Sequence, residues 1–535
     1  MKRLFGYVAA LALSVACTAP VISFEWKDTI DFPAWKGEKV SAQAVLLSSD
    51  DLQKVRAEVS ELKCNGGVIK GATARFVMEV TGDVFQEGYG QCGLRKKGEL
   101  DSIYVADRIC PDEVVTVPGG KQQPVWLSVK VPADAAPGVY EGTLRVRGTG
   151  FKKSLPISIQ VVDAVLPEPS EWKFHLDLWQ NPYSVARYFN VPLWSEEHFS
   201  KMAPIMKILA DAGQKVITTT IIDRPWNGQT EDPFGSMVVK TLGADGRWTY
   251  DYSVFDKWVE FMMSVGITGQ INCYSMIPWK LTFDYVDGAT SEVKYVNAGP
   301  GTDEYAAYWM PFLKDFAAHL KARGWFSKTA LAMDERPEEA MAAALKVIRE
   351  SDPDWKVALA GNFHESIQSE IYDLCITSKR EFPEEARAQR RAAGMVSTYY
   401  VCCGERYPNT FIACDPMEAV WLGWYAAAMD FDGLLRWAYN SWTADPEKDA
   451  RFRTWAAGDC YIVYPSGTSV RMERLIEGIQ DFEKIRILRE KWTAEGNTEA
   501  LQRLQNALDR FYIPVIGAEG PEPTLNLGKR ALCFQ

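Results

Sequence analysis

Between about residues 24 and 163, apolar and polar positions alternate in short runs: Ser41 to Leu47, Gly71 to Val80, Ile103 to Ala106, Val125 to Val131, Gly142 to Gly148 and Ser154 to Val162. A period of two sets one face of a strand in a core and the other in water. Pro118-Gly119-Gly120 and Ala136-Pro137-Gly138 interrupt the runs with residues suited to tight turns. Short strands at this spacing predict an N-terminal β-sandwich over 24–165. Pro167-Glu168-Pro169 then makes a stiff linker.

Beyond residue 170 the pattern changes. Apolar runs now alternate with helical periodicity. The candidate strands are Lys173 to Trp179, Lys215 to Ile222, Gly269 to Tyr274, Thr329 to Met333, Lys356 to Ala360, Leu374 to Thr377, Val396 to Val401 and Gly433 to Tyr439. Amphipathic helices are expected at Glu196 to Ala212, Asp251 to Val265, Asp303 to Arg323 and Pro337 to Ser351. Eight strands with intervening helices predict a (β/α)8 TIM-like barrel over 170–490. Loops 223–250 and 277–302 exceed ordinary connection lengths, and long loops are often functional. Two charged helices, Arg471 to Glu490 and Thr498 to Phe511, are expected to pack on the barrel. Arg474, Glu477 and Asp481 read either as a solvated face or as a salt-bridge network. Residues 491–535 are read as a C-terminal helix and tail, with no clear pattern from Gly517 to Gln535.

The first twenty residues form an export signal: Lys2 and Arg3, then an apolar run from Leu4 to Ala16 too short to cross a bilayer. Ser14-Val15-Ala16-Cys17 resembles a bacterial lipoprotein signal, with Cys17 as the lipidated residue. Leu13 sits one place too early for that pattern, so plain secretion is the alternative. Either way the chain is expected to be exported, to the periplasm or cell surface. A lipid anchor is its only expected membrane contact. A net charge of −11 without a basic patch argues against nucleic-acid binding. The 4 His are far apart, and no Cys/His ligand spacing occurs among the 11 Cys, so no metal or cofactor is expected. Cys273, Cys375, Cys402, Cys403 and Cys414 lie in apolar runs and read as buried free thiols.

The fourth predicted strand ends in Met333-Asp334-Glu335-Arg336-Pro337. Carboxylates at the carboxyl end of a barrel strand stand where such folds keep their chemistry. Neighbours on a strand point opposite ways, so Asp334 and Glu335 can share a pocket only if the backbone turns there. Two carboxylates in one site cannot both ionise easily, so one pKa is pushed up. The competing reading is a helix start, which acidic residues and Pro also favour. The other strand ends supply Trp179 and Asn181, Tyr274 and then Trp279, Asn362, Tyr399 and Tyr400, and Trp437, Tyr439, Asn440 and Trp442. Aromatics and amides at one mouth suit a sugar: flat faces for C–H groups, polar groups for hydroxyls. Singly, each is more often core or rim packing. Aromatic richness, with 19 Trp, 22 Tyr and 24 Phe, fits either use.

Three segments resemble glycoside hydrolase family 123, the bacterial β-N-acetylgalactosaminidases and their relatives. They are Ala34-Trp35-Lys36-Gly37-Glu38 with Gln43-Ala44-Val45-Leu46, Asp334-Glu335-Arg336-Pro337, and Gly433 to Trp442 continuing through Trp455, Gly458-Asp459, Tyr464-Pro465 and Arg471 to Ile487. The last is the most specific. The resemblance implies substrate-assisted hydrolysis of a terminal glycan sugar, an exception to the two-carboxylate scheme. In it the 2-acetamido oxygen attacks the anomeric carbon to give an oxazolinium. Glu335 is then the general acid. Asp334 holds the acetamido N–H, and its charge helps keep Glu335 protonated. A Tyr hydroxyl would donate to the acetamido oxygen, with Tyr439, Tyr399 and Tyr274 as candidates. A related glycosidase with another sugar preference and a non-catalytic glycan-binding lipoprotein remain as alternatives.

Overall fold

The structure, a computed structural model, describes residues 20–84, 98 and 100–533. Cys17 and the signal-like segment lie outside them. The N-terminal part is a sandwich of two sheets. One runs Ile22–Asp28, Lys39–Ser48, Gln122–Lys130, Thr73–Asp83, Ser102–Ile109. The other is built on the long pair Gly138–Gly148 and Phe151–Val165, flanked by Leu52–Val59. Alternate residues of each sheet fill the space between them: Phe24, Ala44, Leu46, Phe76 and Leu127 face Val55, Leu144, Val146, Ile157 and Val161.

The barrel strands are β1 (His175–Leu178), β2 (Val216–Thr220), β3 (Gln270–Tyr274), β4 (Thr329–Asp334), β5 (Lys356–Gly361), β6 (Asp373–Thr377), β7 (Val396–Tyr400) and β8 (Gly433–Arg436). All are parallel, and each pairs with its sequence neighbour from β2 round to β8, which pairs with β1. The β1–β2 seam nearly closes the ring. Its one backbone bridge joins Leu176 to Gln214. Side-chain amides do the remaining pairing there. Gln214 accepts from Leu178 N at 3.0 Å, and Gln180 accepts from Thr218 N at 2.9 Å. An amide side chain has the donor and acceptor of a peptide unit, so it can continue a ladder the backbone leaves open.

Around the barrel run α1 (Pro182–Phe189), α2 (Glu196–Asp211), α3 (Ser253–Ser264), α4 (Asp303–Arg323), α5 (Glu338–Ser351), α6 (Glu384–Ala392) and α7 (Met417–Ala428). The 26-residue α8 (Val470–Glu495) and the shorter α9 (Thr498–Leu508), α10 (Ile513–Glu519) and α11 (Glu522–Ala531) follow. The segment after Gly517, patternless in sequence, is therefore largely helical: Leu525 and Ala531 of α11 are buried against the body. The two long loops build a four-stranded sheet, Trp248–Asp251, Val239–Leu242, Thr282–Asp287, Val293–Asn297, beside the barrel mouth. Trp248, Tyr250 and Phe283 seat it on Tyr308 and Phe312 of α4.

Helix α8 is the seam between sandwich and barrel, and its sequence block is structural. Arg474 pairs with Asp28 and Glu477, and Lys529 pairs with Glu477 and Asp481. Gln480 exchanges two 2.8 Å hydrogen bonds with the Lys39 backbone. Glu483 accepts from the backbone N–H groups of Lys173 and Phe174 and so fixes the entry to β1. The Arg474, Glu477 and Asp481 row is thus a buried network and not a solvated face. Gly478 lies where α8 crosses α7 at Gly423; a Cβ on Gly478 would stand 2.4 Å from the Val420 carbonyl oxygen.

Cys273, Cys375 and Cys414 are buried free thiols and Cys402 a half-buried one. Cys403, expected to be free, is disulfide-bonded. No helix among the described residues is long and apolar enough to cross a membrane.

Candidate active site

The site is built where β4 ends. Ala330 and Ala332 of β4, with Ala358 and Ala360 of β5, present small side chains to the barrel interior and leave room for larger groups above. Glu335 then adopts φ +49°, a left-handed conformation that costs a non-glycine residue on the order of 1–3 kcal/mol. It is held by a 2.6 Å hydrogen bond from its N–H to the Ala360 carbonyl. Gly361 gives the turn its space, since a Cβ there would lie 3.3 Å from Glu335 Cα. The turn cancels strand alternation and lets both carboxylates face the mouth. Neither caps α5, whose N-cap position is Pro337 without a side-chain hydrogen bond.

The two carboxylates differ in depth. Asp334 is largely enclosed, while Glu335 is exposed. The Trp279 indole N–H donates to Asp334 Oδ2 at 3.1 Å. Arg336 anchors the turn by donating to the Asp334 carbonyl at 2.5 Å. Glu335 Oε1 accepts from the Tyr400 hydroxyl at 3.0 Å. Burial, and then the nearby Glu335 charge, push the Asp334 carboxyl up to about 7; the Trp279 N–H, Arg336 and the Trp226 N–H oppose that rise. The raised member of the pair is therefore the deeper one, because desolvation outweighs mutual repulsion. Burial, and then the Glu335 charge, also hold the Tyr400 hydroxyl protonated far above its usual range.

Below the carboxylates lies an aromatic floor. Trp179 stacks on Trp226 with centroids 4.8 Å apart, and Tyr274 leans on both at 4.6 and 4.9 Å. Phe234 backs Trp226, and Trp437 forms the wall, packed on Trp455 and donating to Asp459 at 3.2 Å. Burial is the first cause that keeps the Tyr274 phenol protonated, followed by the charges of Asp177 and Asp334. The Tyr274 hydroxyl has no hydrogen-bond partner among the described residues. Asn362 lies exposed just past β5.

The other sequence candidates turn away. Tyr399 donates to the Leu422 carbonyl of α7, and Tyr439 to the Ile205 carbonyl of α2, each at 2.7 Å. Asn181 caps α1 through Tyr183 N and Ser184 N. Asn440 clamps the Asn181 backbone, and Trp442 is fully buried and donates to Val463 O at 2.8 Å. Each has its polar groups occupied by protein, which leaves nothing to offer a ligand. The correction at β7 follows from alternation: Thr398 and Tyr400 share the inner face, so Tyr399 must point outward. Trp226 comes from the long loop after β2 and has no periodic signal to reveal it. Among the described residues no group of three or more His, Cys, Asp or Glu is placed to hold a metal.

A model of the glycoside hydrolase 123 catalytic domain matches residues 179–488, and one of the glycoside hydrolase 123 N-terminal domain matches 18–148. Among solved structures the chain is similar to a family 123 glycoside hydrolase from Clostridium perfringens, solved in a study of glycolipid glycan hydrolysis. The likeness is 25% identity over 96% of this chain and 97% of that one, with a TM-score of 0.86. A putative α-galactosidase/melibiase from Bacteroides fragilis is 11% identical over 86% of this chain and 78% of its own, at a TM-score of only 0.28. No curated protein matches the chain.

Proposed function

The chain belongs to glycoside hydrolase family 123, and from that premise we propose that it removes terminal β-linked N-acetylgalactosamine by substrate-assisted, retaining hydrolysis. The observation that carries this reading is the depth order of the two carboxylates, with Asp334 enclosed above the aromatic floor and Glu335 open at the rim. In an exo-acting pocket the terminal sugar lies deepest, so its acetamido group falls beside Asp334. The glycosidic oxygen lies nearer the rim, beside Glu335. The acetamido oxygen attacks the anomeric carbon while Glu335 protonates the leaving oxygen. Ionised Asp334 accepts the acetamido N–H and steadies the positive charge of the oxazolinium. Glu335 then takes a proton from the water that opens the ring, and the anomeric configuration is retained.

Tyr274 is the one of the three candidate tyrosines that lies at the mouth with a free hydroxyl, and it suits the acetamido oxygen. Trp179 and Trp226 offer faces to the sugar ring. In the free enzyme burial favours the protonated form of Asp334. An acetamido N–H arriving there favours the ionised form that the mechanism uses. The relative's glycolipid glycans support a glycan end as the substrate class here. A disulfide at Cys403 supports an oxidising compartment, in line with an exported, lipid-anchored chain.

A thiazoline mimic of the oxazolinium tests the mechanism. It is expected to inhibit the wild type strongly and Asp334→Asn much less. A covalent glycosyl-enzyme trapped on either carboxylate would overturn it.

A further inference from the structure

Trp279 joins two features that no other residue of the site combines. It is 40% exposed, whereas Trp179, Trp226 and Tyr274 of the floor are at most 5% exposed. Yet its indole N–H donates to the enclosed Asp334 at 3.1 Å. The ring is fixed at this height by its own backbone N–H, which donates to Pro225 O at 2.9 Å, and by the Arg336 guanidinium 5.6 Å from its centroid. It stands outside the terminal-sugar floor, against the catalytic turn, with its N–H on Asp334 and its ring beside Arg336. An open indole face beside the turn that carries both carboxylates suits the leaving group of a sugar held on the floor.

We propose that Trp279 is both the stacking platform for the leaving-group sugar and the positioning residue for Asp334, so that one side chain links recognition of the leaving group to the state of the catalytic pair. This rests on the depth assignment above. The physics is direct. A sugar presents an apolar C–H face to an aromatic ring. An N–H donated to a carboxylate favours its charged form. Without that donation Asp334 holds its proton more tightly, so the pair keeps a proton to higher pH and is less often charged at Asp334. The other groups that bear on Asp334 stay in place: the Glu335 and Arg336 charges beside it, the Trp226 N–H from the loop, and Tyr274 of β3, which also feels Asp177 of β1 and Asp373 of β6, while Tyr400 of β7 donates to Glu335.

Trp279→Phe keeps a stacking face and removes the N–H; Trp279→Ala removes both. Each is compared with wild type over pH 5–9 on two substrates with poor leaving groups: a methyl glycoside, which offers nothing to stack, and a disaccharide with the same terminal sugar. Trp279→Phe should lower plateau kcat/KM about threefold to tenfold on both substrates and move the alkaline limb up by about half a pH unit. It should leave the disaccharide-to-methyl ratio intact. Trp279→Ala should show the same limb shift and lower that ratio about tenfold, mainly through KM. Thermal melts should match wild type, because a rim residue this open carries little packing. An unmoved limb in Trp279→Phe refutes the positioning role, since a bystander could lower the plateau but not shift the titration. An unchanged ratio in Trp279→Ala refutes the platform. If the wild type prefers a sugar without a 2-acetamido group, the substrate reading fails, and the Trp279 comparison proceeds on the corresponding pair of that sugar.

Discussion

Replacing Asp334 by Asn removes a charge that the fold itself resists. Burial and the Glu335 charge raise this carboxyl from an ordinary 3.8 to about 7. A rise of about three units, at about 1.4 kcal/mol per unit, corresponds to about 4 kcal/mol. The sign follows from proton binding. The folded chain holds this proton more tightly than the unfolded chain, so the stabilisation is complete below about pH 4. It is lost as pH rises through the interval to 7 and is absent above it. Asn carries no such titration. The stability of Asp334→Asn relative to wild type should therefore climb by up to about 4 kcal/mol between pH 4 and 7.5, then level off. Any packing cost of the amide is the same at every pH and drops out of the slope. Denaturant unfolding of both proteins at pH 4, 5.5, 7 and 8.5 gives the comparison. The variant should be inactive wherever it is most stabilised, with all leaving groups slowed alike. A stability difference that is flat across this range, or that falls with pH, refutes the argument that Asp334 is desolvated and strained by its neighbour.

Three further outcomes are expected. Glu335→Gln should slow glycosides with poor leaving groups by about 10²–10⁴-fold in steady-state assays while sparing the first step for highly acidic leaving groups. Gly478→Ala should lower stability by about 3 kcal/mol or more, read as a drop in Tm, because its Cβ would stand 2.4 Å from the Val420 carbonyl oxygen at the α7–α8 crossing. Cys17→Ala should move the protein from the membrane fraction to the soluble one without changing its catalysis, as fractionation would show.

The barrel was legible because its eight strands are short apolar runs bounded by turn residues, and all eight appear where those runs lie. The sandwich strands Ile22–Asp28 and Leu52–Val59 were not, because charged residues at their solvent-facing positions dilute the apolar signal. The Asp334-Glu335 pair could be read from an apolar run that stops at two carboxylates. The turn that brings them together could not, since it depends on Gly361 of the next strand. Residues at strand ends proved ambiguous for a physical reason. There the chain both finishes its packing and enters the mouth, so Tyr399 and Tyr400 differ only by the parity of the strand. Asn181, Asn440 and Trp442 have side chains suited to sugars, and the fold uses all three to tie loops together. The most recognisable block of the chain runs from Gly433 through Arg471 to Ile487, and its α8 part holds the two domains together at a distance from the chemistry.

In the proposed mechanism the substrate's own acetamido group performs the displacement above Asp334. Initial rates on two nitrophenyl β-galactosides that differ only at C2, acetamido against hydroxyl, test it most directly. The acetamido compound should turn over and the hydroxyl compound should show no measurable turnover, because it has no group to form the oxazolinium. Comparable hydrolysis of both would contradict it.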